Sequence, residues 1–345
     1  MVKINNSAYQ LTNKHFLQNN VSSDNKQAIG THKQPLALSD GLKKLIQQIA
    51  PYRNEASLTP QEKEKAHIAG LYSISAYLDD KKLAKKQDLN TVAGLHKQYS
   101  ELSENDAKFI LQLNEKKLDS AQKLQQQFPK LTNADAHELN HVLQNLNVNI
   151  YHDQESNQTI LAARGTASIR DVKQDVMTGL GATGAKYKAL DQLRPLLLAG
   201  EIKPDLYTGH SLGGGMASAI ANMMGDSDAQ VMTFDAQRLN IKQNKLSKEH
   251  SNDIPTTDYR IDSSLSLGAL MSVPVLFKNV DTVGLPSSPH TTKNPINKLV
   301  KNHSIDGIIS KMDNPTTHGN LPMNAGLKQH LTTPIYKQRD HTAQI

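Results

Sequence analysis

The sequence predicts an α/β protein with a mostly parallel sheet, preceded by a helical N-terminal region. Three observations carry this. Residues 39–146 hold helical apolar spacings, short apolar runs alternate with helical spacings from about residue 147, and a glycine-flanked serine, Ser211, sits where a strand passes into a helix.

At 345 residues the chain is long enough for about two domains of ordinary size, or one with a large extension. The absence of cysteine excludes disulfides, thiolate metal ligands and a cysteine nucleophile. No apolar run approaches the ~20 residues that cross a bilayer. The start of the chain, MVKINNSAYQ, lacks the apolar stretch of a secretory signal peptide, so the expected home is the cytoplasm, or the outside by a route without a cleaved signal. The net charge of +6 is spread over both halves. That is no nucleic-acid footprint, but it fits mild attraction to an anionic membrane surface.

Residues 1–38, rich in Asn, Gln, Ser and Lys, read as disordered. Leu42, Leu45, Ile46 and Ile49 then follow helical spacing up to Pro51. Thr59-Pro60-Gln61-Glu62 is a capping box with proline at the first helical position. Ile68, Leu71 and Leu78 stripe the helix it opens. Ser103 starts another, carried by Phe109, Ile110, Leu113, Leu118, Leu124 and Phe128 as far as Pro129. Thr132 opens a third, bearing Leu139, Val142, Leu143 and Leu146. The lysines of this region read as solvated face.

Val148–Tyr151 and Thr159–Ala163 read as strands around a polar turn. A helix from Ala185 to Ala199 follows, then a strand at Asp205–Thr208, a small-residue helix at Gly213–Met224 and a strand at Val231–Phe234. Thr257–Asp262 reads as a strand, and Val275–Val280 as another. The last ~30 residues are Pro-broken and irregular, and residues 313–345 are set apart as a C-terminal segment.

Gly209-His210-Ser211-Leu212-Gly213 is a G-x-S-x-G pattern lying between a strand and a helix. Such a turn strains the serine and lifts its hydroxyl above the sheet edge, and the residues two before and two after must be tiny because strand and helix close on each other. The N–H of Leu212 then points where an oxyanion would form. The bland alternative is a glycine-rich turn with an incidental serine. A second oxyanion donor is expected from Thr166, after the strand that ends in Ala163-Arg164-Gly165.

In this layout the base follows the serine. Among His250, His290, His303, His318, His330 and His341, only His303 directly precedes a helical spacing, Ile305, Ile308, Ile309 and Met312. It is therefore the expected base, and His210 is assigned a packing role. The acid should follow a strand between Ser211 and His303. Asp262 is preferred, then Asp281, then Asp235. No cofactor and no metal is expected, and no run of carboxylates has EF-hand spacing.

Ala163-Arg164-Gly165-Thr166-Ala167-Ser168-Ile169-Arg170-Asp171, with Asp175 after it, resembles the R-G-[ST]-x-S-x-x-[DN] stretch of the class 3 lipases. Thr208–Gly214 is similar to their T-G-H-S-L-G-G elbow. Thr233–Arg238 resembles their T-F-G-x-P-R segment, with Asp235 in place of glycine and Gln237 in place of proline. His303-Ser304-Ile305-Asp306 resembles the H-S-[MI]-D of bacterial members. The resemblance covers about residues 147–312 and implies an α/β-hydrolase, class 3 lipase-like core. A helical leader before such a core is similar to the enterobacterial extracellular phospholipase A1 proteins.

That likeness implies hydrolysis of the sn-1 ester of glycerophospholipids by a serine lipase or phospholipase A1. It also implies flagellar or type III-like export from the bacterial cytoplasm with an uncleaved N-terminus. The expected catalytic set is Ser211, His303 and Asp262, with Leu212 and Thr166 as the oxyanion hole. Residues 167–184, with Gly179, Gly181 and Gly184, are the expected lid. The expected partner is a phospholipid membrane or micelle surface; residues 39–146 read first as a helical cap on the core, with a docking site for an accessory or chaperone protein as the alternative. The alternatives are an acyl hydrolase or acyltransferase on a soluble ester, and an effector that works through its helical region with a degenerate core.

Overall fold

The first strand is one that the sequence does not announce. β1 (Tyr52–Asn54) is only three residues long and lies inside the region read as wholly helical. The computed structural model describes residues 52–79, 83, 88–154, 156–165, 184–236, 254–262, 280–286 and 302–312. The segments read as disordered (1–38), helical (42–49) and irregular (313–345) lie outside them, as does the expected lid (167–184) except Gly184.

α1 (Pro60–Ser75) begins at the expected capping box. The Glu62 N–H donates to Thr59 Oγ1 at 3.2 Å, and the Thr59 N–H donates to Glu62 Oε2 at 2.8 Å. Such a cap contributes about 1 kcal/mol. From Ala66 to Ser75 only His67 is not fully buried. α2 (Val92–Gln98) follows, capped by Thr91. The long helix expected from Ser103 to Phe128 is two helices, α3 (Glu104–Glu115) and α4 (Ala121–Gln127). Between them Lys117 bridges to Tyr151 and the Leu118 N–H donates to the Ile150 carbonyl, so the chain leaves helical geometry to pair with a strand. Ser120 then caps α4. α5 (Asn133–Leu146) starts at Thr132 and ends on Asn147 in the left-handed conformation.

The remaining elements are β2 (Val148–Asp153), β3 (Gln158–Ala163), α6 (Gly184–Ala199), β4 (Leu206–His210), α7 (Leu212–Met224), β5 (Gln230–Phe234), β6 (Thr256–Asp262), β7 (Val280–Pro286) and α8 (Ile305–Ser310). The strand expected at Val275–Val280 lies outside the described residues except for Val280, where β7 begins. Asp281 therefore lies inside β7, opposite Thr257, and does not follow a strand end.

The sheet runs β1-β7-β6-β5-β4-β3-β2, with every neighbouring pair parallel except the β2–β3 hairpin. Because strand side chains alternate, each central strand feeds two cores. Ile160, Ala162, Leu206, Met232 and Phe234 pack with α1, α2, α3 and α8 on one face. Leu161, Ala163, Tyr207 and Val231 pack with α5, α6 and α7 on the other. The helices before residue 147 and the strands after it thus share their buried cores, and β1 completes the sheet edge.

α1 crosses the middle of its face. Ser73 Oγ and Thr208 Oγ1 lie 2.7 Å apart, and Thr208 Oγ1 donates to the Ala69 carbonyl at 3.0 Å. A Cβ on Gly70 would stand 2.5 Å from Ile309 Cγ1, so glycine is what lets α8 lie on α1. Among the described residues no helix is long and apolar enough to cross a membrane.

Candidate active site

β4 ends at His210 and α7 begins at Leu212, so Ser211 makes the whole turn with φ 57° and ψ −128°. This is a conformation that side chains with a Cβ rarely adopt, and it costs on the order of 1–3 kcal/mol unless the surroundings enforce it. They do. The Ser211 N–H donates to the Phe234 carbonyl at 3.0 Å, and the Gly214 N–H closes onto the Ser211 carbonyl at 3.0 Å. A Cβ on Gly209 would meet the Gly213 carbonyl oxygen at 2.5 Å, and one on Gly213 would meet the Ala163 carbonyl oxygen at 2.1 Å. The two flanking glycines are therefore required by backbone, which cannot move aside. Leu212, the first residue of α7, has an N–H that the helix itself leaves without a partner.

His303 stands two residues before α8. Its Nε2 is 2.9 Å from Ser211 Oγ, and its Nδ1 is 2.5 Å from Asp235 Oδ2. A carboxylate accepts, so Nδ1 carries the proton. In the neutral ring Nε2 is then bare and accepts from the serine hydroxyl. This order suits a base that withdraws the Ser211 proton. Asp235 follows β5 directly, with φ 42°. Burial alone would raise its carboxyl, but the His303 charge and hydrogen bond, with Arg260 behind, hold it below the usual carboxylate range.

The carboxylate that faces His303 is thus Asp235, where Asp262 was expected. Asp262 closes β6 opposite Pro286, two strands from β4, whereas β5 is the strand hydrogen-bonded to β4. The Asp235 N–H donates to the Tyr259 carbonyl at 2.8 Å. The Ala236 N–H and the Thr233 hydroxyl both donate to Asp258 Oδ1, at 3.1 and 2.8 Å, and Asp258 pairs with Arg260. A buried carboxylate on the neighbouring strand therefore fixes the loop that carries Asp235.

Thr166, expected as the second oxyanion donor, lies outside the described residues, as do His250, His290, His318, His330 and His341. The residue before Thr166 is described. A Cβ on Gly165 would stand 3.2 Å from Ser211 Cβ, so the main chain at Gly165 passes beside Ser211. His210 is buried, and its Nε2–H donates to the main-chain carbonyl of His303 at 2.8 Å. Sequence reasoning did not single out Asp306 by role, yet it anchors α8: its Oδ2 accepts the Glu101 N–H at 3.0 Å and its Oδ1 accepts the Ser304 hydroxyl. The H-S-I-D motif held the signal for it. Among the described residues, no group of three His, Asp or Glu side chains is placed to hold a metal ion.

Residues 93–262 match the family model of a Tle-like phospholipase domain. Over that span the chain is phospholipase-like. The match begins in α2, well before the resemblance read at residue 147, and so takes in helices of the leader. It contains Ser211 and Asp235, while His303 lies beyond its end. No curated protein matches the chain.

Proposed function

We propose that the protein is a serine ester hydrolase of the α/β-hydrolase type, acting on an acyl ester of glycerophospholipids in the manner of a phospholipase A1. The observation that carries this is His303 bridging Ser211 Oγ and Asp235 Oδ2 at 2.9 and 2.5 Å, around a strained serine on a strand-to-helix turn. The phospholipase-like match over residues 93–262 supports a lipid ester over other acyl substrates.

Ser211 Oγ attacks the ester carbonyl as its proton passes to His303 Nε2. Asp235 orients the ring and stabilises its charged form. The N–H of Leu212 and that of Thr166 receive the oxyanion. His303 returns the proton to the leaving glycerol oxygen, and water then repeats the attack on the acyl-enzyme. The net charge of +6 favours an anionic lipid surface as the place of work. By its likeness to the extracellular phospholipases the protein is made in a bacterial cytoplasm and exported by a flagellar or type III-like route, with an accessory or chaperone protein on the helical region. Export that continues after residues 1–38 are deleted would overturn that route.

The test is fatty-acid release from phosphatidylglycerol–phosphatidylcholine vesicles labelled separately at sn-1 and sn-2, with wild type and Ser211→Ala. Release of the sn-1 label that falls by about 10⁴-fold or more in the alanine variant is expected. Equal release by both proteins would sink the hydrolase, and cleavage of short soluble esters without stimulation by vesicles would sink the lipid substrate. A Ser211 that a fluorophosphonate leaves unlabelled would mark the core as degenerate.

A further inference from the structure

We propose that Tyr77 is a positioning residue for the reactive histidine: with His210 it forms a one-way hydrogen-bond chain from the turn after β3 to the main chain of His303. The inference rests on the Ser211–His303 chemistry proposed above.

The direction of every link follows from its ends. The His303 carbonyl can only accept, so His210 Nε2 carries a proton and donates across 2.8 Å. A neutral imidazole protonated at Nε2 has a bare Nδ1. The Tyr77 hydroxyl, 3.0 Å away, therefore donates to it. The oxygen of that same hydroxyl accepts the Gly165 N–H at 3.1 Å. The chain reads Gly165 N–H to Tyr77 Oη–H to His210 Nδ1, then His210 Nε2–H to His303 O.

The ring must stay neutral for this to hold. Burial, with the charge of His303 next to it, pushes the His210 pKa down to about 3. The ring centroids of His210 and His303 lie 4.7 Å apart, and those of Tyr77 and His210 6.1 Å apart.

The backbone at His303 has need of such a hold. α8 has six residues, and Ser304 at its start makes no side-chain cap to the helix. Where the main chain of residue 303 sits decides whether Nε2 meets Ser211 Oγ. At the other end the chain fixes Gly165, whose successor supplies an oxyanion donor in the proposed mechanism. One phenol from the leader, just past the end of α1, thereby sets the spacing between the base and the oxyanion turn.

The experiment compares wild type with Tyr77→Phe, which keeps the ring and loses the hydroxyl. On a soluble p-nitrophenyl ester, kcat is expected to fall about tenfold while KM changes less than twofold. With ¹⁵N-labelled histidine, wild-type His210 should appear protonated at Nε2 alone, and the variant should show a mixture of tautomers. His210→Gln, whose amide can still donate to the His303 carbonyl, should retain more kcat than His210→Ala, and this comparison stands even if Tyr77→Phe fails to fold. A Tyr77→Phe enzyme with wild-type kcat, or one with an unaltered His210 tautomer, overturns the proposal. If wild-type Ser211 does not react with a fluorophosphonate, the hydrolase reading fails first and this role falls with it. That failure shows in wild type, whereas failure of the positioning chain alone shows only in the variants.

Discussion

The carboxylate of Asp235 meets Nδ1 of His303 at 2.5 Å across 68 residues of sequence, and it does so from a backbone with φ 42°. That left-handed conformation suits glycine, the residue at this place in the lipase segment that Thr233–Arg238 resembles. Aspartate accepts the conformation at some cost in strain. Its side chain then does what no glycine can, and holds the imidazole.

Asp235→Asn should lower kcat by roughly 10⁴-fold, because an amide facing Nδ1 favours the wrong tautomer. Asp262→Asn and Asp281→Asn should change kcat by less than about fivefold, since neither is the carboxylate on the ring. Steady-state kinetics on a soluble ester decide it. A loss at either of the latter two as great as at Asp235 would move the acid.

His210 links stability to pH. Its pKa is lowered to about 3 in the folded protein, against 6.5 for the ordinary side chain. Between those values the unfolded chain binds a proton that the folded one does not, so the His210 contribution to stability is lost as pH drops from 6.5 towards 3, below which any further loss comes from carboxylates such as Asp235. The full effect is on the order of 5 kcal/mol. Urea midpoints measured across this window should slope less steeply in His210→Gln, and parallel slopes would remove the claim.

Gly213→Ala should destabilise the protein by about 3 kcal/mol. The new methyl would stand 2.1 Å from the Ala163 carbonyl oxygen and 2.6 Å from the Arg164 carbonyl carbon, both of them main chain. A urea midpoint within error of wild type would mean that strand and helix are not closed on each other here.

Asp306→Ala should cost about 1–3 kcal/mol by leaving the Glu101 N–H without its acceptor. Because α8 carries His303 at its entry, kcat should fall together with the melting temperature. An unchanged melting temperature would show that α8 is held by its apolar face alone.

What was readable in the sequence was local. The Thr59 capping box, the starts at Ser103 and Thr132 and the G-x-S-x-G turn each depend on a few neighbouring residues, and each stands where it was expected. His303 was legible because the helix after it has its own periodicity. The carboxylate that faces it was not, because three aspartates follow or end apolar runs and the choice depends on which strand lies beside β4. The break between α3 and α4 was hidden for a similar reason: the spacing continues through it, and only pairing with β2 interrupts it. The three residues of β1 are too few to show a period. Tyr77 was invisible because its partners lie 88 and 133 residues away.

Tyr52 sits beside Thr282, and Asn54 beside Gly284. Among the described residues, the first strand to be synthesised therefore waits for the last one, and β1 stays unpaired until the chain has reached residue 284. A nascent or shortened polypeptide that stops before β7 leaves β1 with no strand to pair with, so assembly of this side of the molecule is a late event, slowed by the long loop that must be closed.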